Sequence, residues 1–260
     1  MSNFTTTAIR AARLAGEVII KHYARLKSSE VHKKGKHDLV TKADLEANEV
    51  IIKTIKRQFP RHDFLSEETG FENNPEAYTW VIDPLDGTTN YTIRNPLFCT
   101  ALALTYRTRI LTSVIFAPLL KEFYLAELGR GAFLNERRIH VSKTRKLPEA
   151  IIVVGRSHRR QSHSNSEKIQ KKLEASALNT RRLGSDSMDL AYVACGRVDG
   201  CLLVPPQISA WDSVPGVLLV REAGGAVTDF KGREWKPGSE GVVAANKAVH
   251  KSLVNLASKK

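Results

Sequence analysis

Cysteine is scarce in this chain of 260 residues: Cys99, Cys195 and Cys201 show no paired spacing and sit in apolar surroundings. A disulfide framework and a zinc site are therefore not expected, and the three read as reduced core thiols of a cytosolic protein. The eight histidines are scattered and form no metal pattern either. No apolar run approaches the length needed to cross a bilayer, so no membrane association is expected. Residues 1–7 lack a basic stretch leading into an apolar core, so an export signal is not expected. Acidic residues are also in deficit, 27 against 40 Lys and Arg, which leaves a net charge of +13. No aromatic-interleaved RNA motif or DNA-reading helix accompanies that charge, so nucleic-acid or transcription-factor binding stays secondary.

What is present describes an ordinary globular chain, 42% hydrophobic and 26% charged, long enough for one large domain or two closely packed halves. The basic residues gather at Lys33-Lys34-Lys36, 156–160, Lys171-Lys172, Arg181-Arg182 and Lys259-Lys260. Such a surface attracts anions: phosphorylated substrates, nucleic acid or acidic proteins. A solvated basic face accounts for most of these residues.

Hydrophobic periodicity predicts helices over 5–26 and from Thr41 to Phe59, with Thr41 as N-cap and Pro60 as terminator. Residues 31–40 read as a basic, glycine-containing loop. Residues 62–70 read as a short strand that delivers Glu67 and Glu68 to its tip. Adjacent side chains on an extended chain point in opposite directions, so one glutamate would face a site; two exposed loop acids is the alternative. Alternation over 97–128, broken at Arg107-Thr108-Arg109 and Pro118, predicts three antiparallel strands. Pro148 marks a boundary between the halves. Further on, strands are expected at 150–154, 198–204 and 226–230, and helices at 165–178, 188–195, 213–223 and 247–258.

Residues 80–91, Trp-Val-Ile-Asp-Pro-Leu-Asp-Gly-Thr-Thr-Asn-Tyr, concentrate the chemistry. An apolar run reads as a buried strand that stops at Pro84 and releases Asp83 at its end. Asp86 follows, and Gly87, Thr88 and Thr89 open a helix. Two carboxylates one turn apart supply the hard oxygen ligands that Mg²⁺ prefers. Gly87 permits close backbone approach to an anion, and free amides at a helix start favour phosphate. An Asp-Pro and Asp-Gly turn is the bland alternative. Asp44 at the first turn of its helix and Asp212 after Trp211 each suit either a helix start or a metal cluster. Gly184-Ser185-Asp186 is either an N-cap or a hydroxyl site.

Together, residues 83–90, the distant Trp211-Asp212 and residues 222–225 (Glu-Ala-Gly-Gly) closely resemble the inositol monophosphatase family. The likeness is strongest to bacterial inositol-1-monophosphatases and covers nearly the whole chain. It implies a mixed α/β fold, a layered αβαβα sandwich of the inositol monophosphatase and fructose-1,6-bisphosphatase type. The chain would form one domain, residues 1–260, with halves of about 1–148 and 149–260. The resemblance implies Mg²⁺-dependent, lithium-sensitive phosphatase activity in a cytoplasmic homodimer. Glu67, Asp83, Asp86, Asp212 and the Leu85 carbonyl would hold two or three Mg²⁺ ions, with Asp44 helping to order one of them beside Glu67. Gly87 and Thr88 would hold phosphate through their amides, and Glu67 and Thr88 would position and deprotonate water. Lys34 matches a lysine near the site in several members, and Gly184, Ser185, Asp186 and Asp212 would meet the substrate.

Residue chemistry makes the same case: a hydroxide must approach a dianionic monoester, so charge neutralisation and positioning do nearly all the work. Two departures bear on the substrate. Inositol-hydrolysing members commonly carry a glutamate seven residues before the Trp-Asp aspartate, where this chain has Pro205, and a small residue where it has Asp186. A polyol or sugar phosphate, first inositol-1-phosphate, is expected. Fructose-1,6-bisphosphate, histidinol phosphate and phosphoadenosine phosphate stand as alternatives, and RNA or transcription-complex binding is the alternative of another class.

Overall fold

A computed structural model describes residues 1–26, 31–35, 38–72, 78–156, 162–205 and 208–258, without the side chains of residues 34, 35, 38, 71, 72, 156 and 162–165. Ser2 caps α1 (Asn3–Tyr23), whose small buried stripe of Ala8, Ala11, Ala12 and Ala15 lets it lie close on its neighbours. The basic segment after it is a hairpin, β1 (Val31–Gly35) and β2 (Asp38–Thr41), rather than the expected loop. Its charged composition hides the pattern: the few apolar residues, Val31, Leu39 and Val40, are half-buried and do not alternate. Thr41 then starts α2 (Lys42–Gln58) with a capping box in which Asp44 answers the Thr41 backbone.

Eight strands form the larger sheet: β3 (Asp63–Ser66), β4 (Gly70–Glu72), β5 (Tyr78–Asp86), β6 (Cys99–Tyr106), β7 (Arg109–Ala117), β8 (Glu122–Glu127), β9 (Gly131–Leu134) and β10 (Arg137–Ile139). Their order is β10-β9-β8-β7-β6-β5-β3-β4. The three antiparallel strands expected over 97–128 are β6, β7 and β8. The strand expected to stop at Pro84 instead continues to Asp86. A register shift between Asp83 and Asp86 takes up the proline, and Thr100 Oγ1 donates to the Pro84 carbonyl at 2.9 Å. A bulge is where a strand tolerates a residue without an N–H. The short helix α3 (Thr88–Thr92) follows at once.

The second sheet, ordered β12-β11-β13-β15-β14, contains β11 (Ile151–Arg156), β12 (Asn179–Arg181), β13 (Gly200–Val204), β14 (Ala226–Thr228) and β15 (Val242–Ala245). Helices α5 (Asp186–Ala194) and α6 (Ala210–Glu222) fill the space between the sheets, and α4 (Ser162–Glu174) and α7 (Lys247–Ser258) cover the outer face. Three apolar layers follow from this. Helices α1 and α2 pack on one face of the large sheet through Ile19, Ile51 and Leu102. Helices α5 and α6 bind its other face to the small sheet through Leu190, Val217 and Cys201. Helices α4 and α7 seal the outside through Leu173 and Leu253. The result is the αβαβα sandwich. Helix α6 is buried on nearly all sides, which is why its sequence is apolar throughout instead of striped.

Candidate active site

The acids converge where β5 gives way to α3, beside the first turns of α2, α5 and α6. Asp83 and Asp44 are almost fully buried, at 1% and 2% exposure, and Asp86 is buried as well. Asp83 Oδ1 accepts from the Leu85 amide at 3.1 Å, so the bulge around Pro84 also orients the carboxylate. Gly87 has φ 86°, and a Cβ there would lie 2.8 Å from the Leu97 carbonyl oxygen. Both the left-handed backbone and the close approach demand glycine. The first amides of α3 have no intrahelical acceptor.

Asp86 is tied across the molecule. Its Oδ2 accepts from Ser185 Oγ at 2.9 Å and from the Ser187 amide at 2.6 Å, a partner 101 residues away. Asn90 Nδ2 holds the Leu183 and Leu97 carbonyls, each at 2.7 Å. These bonds bring Gly184, Ser185 and Asp186 beside the acid cleft. Ser185 also caps α5, as the N-cap reading of that turn expects. Asp212 likewise serves its helix, where Oδ2 accepts from the Ser209 amide at 3.2 Å, and also belongs to the acid group. Glu67 follows β3 and donates its amide to the Ile82 carbonyl at 3.2 Å, which sets it beside the end of β5. Lys34 lies in β1, with its side chain outside the described residues.

One arrangement was not legible in the residue pattern. Thr88 Oγ1 lies 3.2 Å from Asp44 Oδ1 and 3.0 Å from the Leu85 carbonyl, so its single proton faces two acceptors. Asp44 Oδ2 is meanwhile held by the Thr41 amide at 2.8 Å and by the Thr41 hydroxyl at 2.6 Å. The capping box that starts α2 thus aims Asp44 at Thr88. A Thr-x-x-Asp capping signature preceding a Gly-Thr-Thr turn was the available signal, but nothing local placed the two together.

The electrostatics are those of crowded carboxylates. Burial, then Glu67, Asp86, Asp212 and Asp44, raise the Asp83 carboxyl well above the usual range. Burial, then Asp186, Asp86 and Glu67, do the same to Asp212. Burial raises Asp86 in spite of its donors, and burial with Asp86 pushes Asp186 up to about 7. Asp186 is therefore an additional acid of this cleft, close enough to be the foremost charge felt by Asp212.

Among the described residues, no three His, Cys, Asp or Glu side chains close on one point as a finished metal shell. The donor chemistry nonetheless fits a hard dication: carboxylates and a carbonyl, with no imidazole. Asp83, Asp86 and Asp212 each give an oxygen to protein donors.

The inositol monophosphatase family profile matches residues 1–260. The chain belongs to the inositol monophosphatase family. An inositol-1-monophosphatase from Mesorhizobium japonicum is 36% identical over 253 residues, covering 96% of this chain and 94% of that protein. The Nus factor SuhB of Escherichia coli K12 is 39% identical over 249 residues, covering 95% and 92%. The crystal structure of the suhB protein from Bartonella henselae superposes with a TM-score of 0.93 at 33% identity, covering 99% of each chain. The Anabaena inositol monophosphatase superposes with a TM-score of 0.87 at 36% identity, covering 97% of this chain and 94% of that one. Inositol monophosphatases are metal-dependent, typically on Mg²⁺, and membership supports a phosphatase acting on small phosphorylated molecules. No helix among the described residues is long and apolar enough to cross a membrane.

Proposed function

We propose that this protein is a Mg²⁺-dependent phosphomonoesterase of a small polyol or sugar phosphate, with inositol-1-phosphate as its first substrate. The observation that carries the reading is the Thr88 hydroxyl held between Asp44 and the Leu85 carbonyl, inside a group of mutually repelling acids. Two or three Mg²⁺ ions held by Glu67, Asp83, Asp86, Asp212, the Leu85 carbonyl and Asp44 would neutralise the phosphate, lower the pKa of water and stabilise the leaving alkoxide. The chain's own residues do the positioning. Amides of Gly87 and Thr88 receive the phosphate oxygens. Thr88, aimed by Asp44, orients the attacking water, and Glu67 takes its proton. Asp186, beside Gly184 and Ser185, accepts from a hydroxyl of the departing alcohol in place of the glutamate absent at Pro205.

The test is phosphate release from inositol-1-phosphate, fructose-1,6-bisphosphate, histidinol phosphate and phosphoadenosine phosphate, with and without Mg²⁺. Metal-dependent turnover that Asp83→Asn abolishes is the expected result, and turnover indifferent to both would end the proposal. The same preparation analysed by sedimentation tests the homodimer, and cell fractionation tests the cytoplasmic location.

A second reading rests on the 39% identity to a protein named as a Nus factor and on the +13 charge. It is a binding role toward RNA or transcription factors. Salt-dependent RNA binding undiminished in Asp83→Asn supports that role, and its absence at low salt removes it.

A further inference from the structure

The eight-stranded sheet is wider than the helices on one of its faces. Seven strand spacings make on the order of 34 Å, whereas two helices of about 10 Å each cover about 20 Å. Helix α1 lies over β6 and β7, so the same face of β8, β9 and β10 extends past its edge. A groove of about 650 Å³ opens there, within the range of small-molecule pockets. Its floor is Ile9 of α1, Phe123 and Leu125 of β8, and Phe133 of β9.

Charge on the rim is arranged as well as abundant. The Arg13 guanidinium lies 5.6 Å over the Phe123 ring and that of Arg138 lies 5.4 Å over Phe133. A guanidinium lying on a ring keeps its N–H edge available, and that edge forks onto carboxylate or phosphate. Arg138 directs one N–H to the Arg130 carbonyl at 3.0 Å. Of the two rim acids, Glu127 is engaged by Arg130 at 3.5 Å and by the Ser2 amide at 3.3 Å. Glu136 is exposed at the β9–β10 turn. Against that one carboxylate stand Arg13 and Arg138, so the groove is apolar along its length and cationic at its rim.

We propose that this groove binds an elongated anionic amphiphile as a free small molecule, its acyl or aromatic body along Ile9, Phe123, Leu125 and Phe133 and its carboxylate or phosphate head between Arg13 and Arg138. The site shares no residue with the acid cleft.

The test is calorimetric titration of the full chain with decanoate below its micelle concentration, and with decyltrimethylammonium as the same body of opposite charge. Saturable one-to-one binding of decanoate is expected, weakened at least tenfold in Arg13→Glu/Arg138→Glu, with no binding of the cation to wild type. Phosphate release by that variant stays at the wild-type rate. Should the double variant lose its circular dichroism signal, Arg138→Glu alone gives the same reading. No saturable decanoate binding, or equal affinity in the variant, overturns the proposal. So does a change in self-association with decanoate affinity unaltered, which would make the occupant a second copy. Binding to phosphatidylglycerol vesicles without affinity for dispersed decanoate would replace the free ligand by a lipid surface.

Discussion

Two pairs of aspartates meet at the acid cleft, and they are supported in opposite ways. At the end of β5, Asp83 accepts from the Leu85 amide and Asp86 accepts from Ser185 and the Ser187 amide. At the start of α5, Asp189 is fully buried and neither of its carboxyl oxygens has a hydrogen-bond partner among the described residues. Its neighbour Asp186 leans against Gly155, where a Cβ would come within 2.5 Å of its Oδ1. Depth alone is therefore a poor guide to role. A buried carboxylate with donors has a fixed direction and stays available to a cation, whereas one without donors simply disfavours its charged form.

The largest effect is expected at the supported pair. Asp86→Ala removes a proposed cation ligand and the link to Ser185 and Ser187 together, and kcat should fall by about 10³-fold or more. Retention of a tenth of the wild-type rate would show that the donors to Asp86 are merely structural. Thr88→Val should cost about 10²-fold in kcat, with Thr88→Ser close to wild type, since only the hydroxyl meets Asp44. Equal losses in both variants would place the effect in packing.

Gly87→Ala tests the turn that joins the two acids to α3. A left-handed φ and a 2.8 Å approach to a carbonyl predict about 2–4 kcal/mol of lost stability in urea unfolding. A loss under about 0.5 kcal/mol would mean that the turn relaxes freely.

Asp189→Asn sharpens the contrast from the other side. Burial, with the charges of Asp186 and Asp86, holds the Asp189 carboxyl well above its usual range. A carboxyl with a raised folded pKa binds its proton more tightly when folded. Its contribution to stability is full below the unfolded pKa, near 4, and declines as pH rises toward the folded value. In chelator at pH 8 the variant should be more stable than wild type by about 1–3 kcal/mol, with the difference vanishing at low pH. A destabilised variant at pH 8 would show that Asp189 has a partner in solution. The smallest effect is at Asp186→Ala, which should change the ratio of kcat/KM between inositol-1-phosphate and the other substrates about tenfold. An unchanged profile would remove Asp186 from the alcohol pocket.

Local signals carried much of this architecture. The 3.6-residue apolar period marks α1, α2 and α7, and Thr41 and Ser185 announce helix starts because capping is a matter of adjacent residues. Residues 83–88 declare their chemistry for the same reason: acids, glycine and threonines lie within one turn of chain. Local reading failed where long-range pairing overrides propensity. Pro84 sits inside a strand because β5 bulges there against β6, whose Thr100 hydroxyl donates to the proline carbonyl. The β1–β2 ribbon has too few apolar residues in alternation to betray it.

By itself, then, the sequence determined which residues carry the acids and that α2 begins after Thr41. Only the tertiary structure decided that Asp44 reaches Thr88, that Asp86 reaches Ser187, and that Asp189 has no donor among the described residues. Those outcomes depend on sheet order and on the packing of α5 against β5, which bring together residues tens to a hundred positions apart. No window of the chain short enough to have a period or a turn contains both partners.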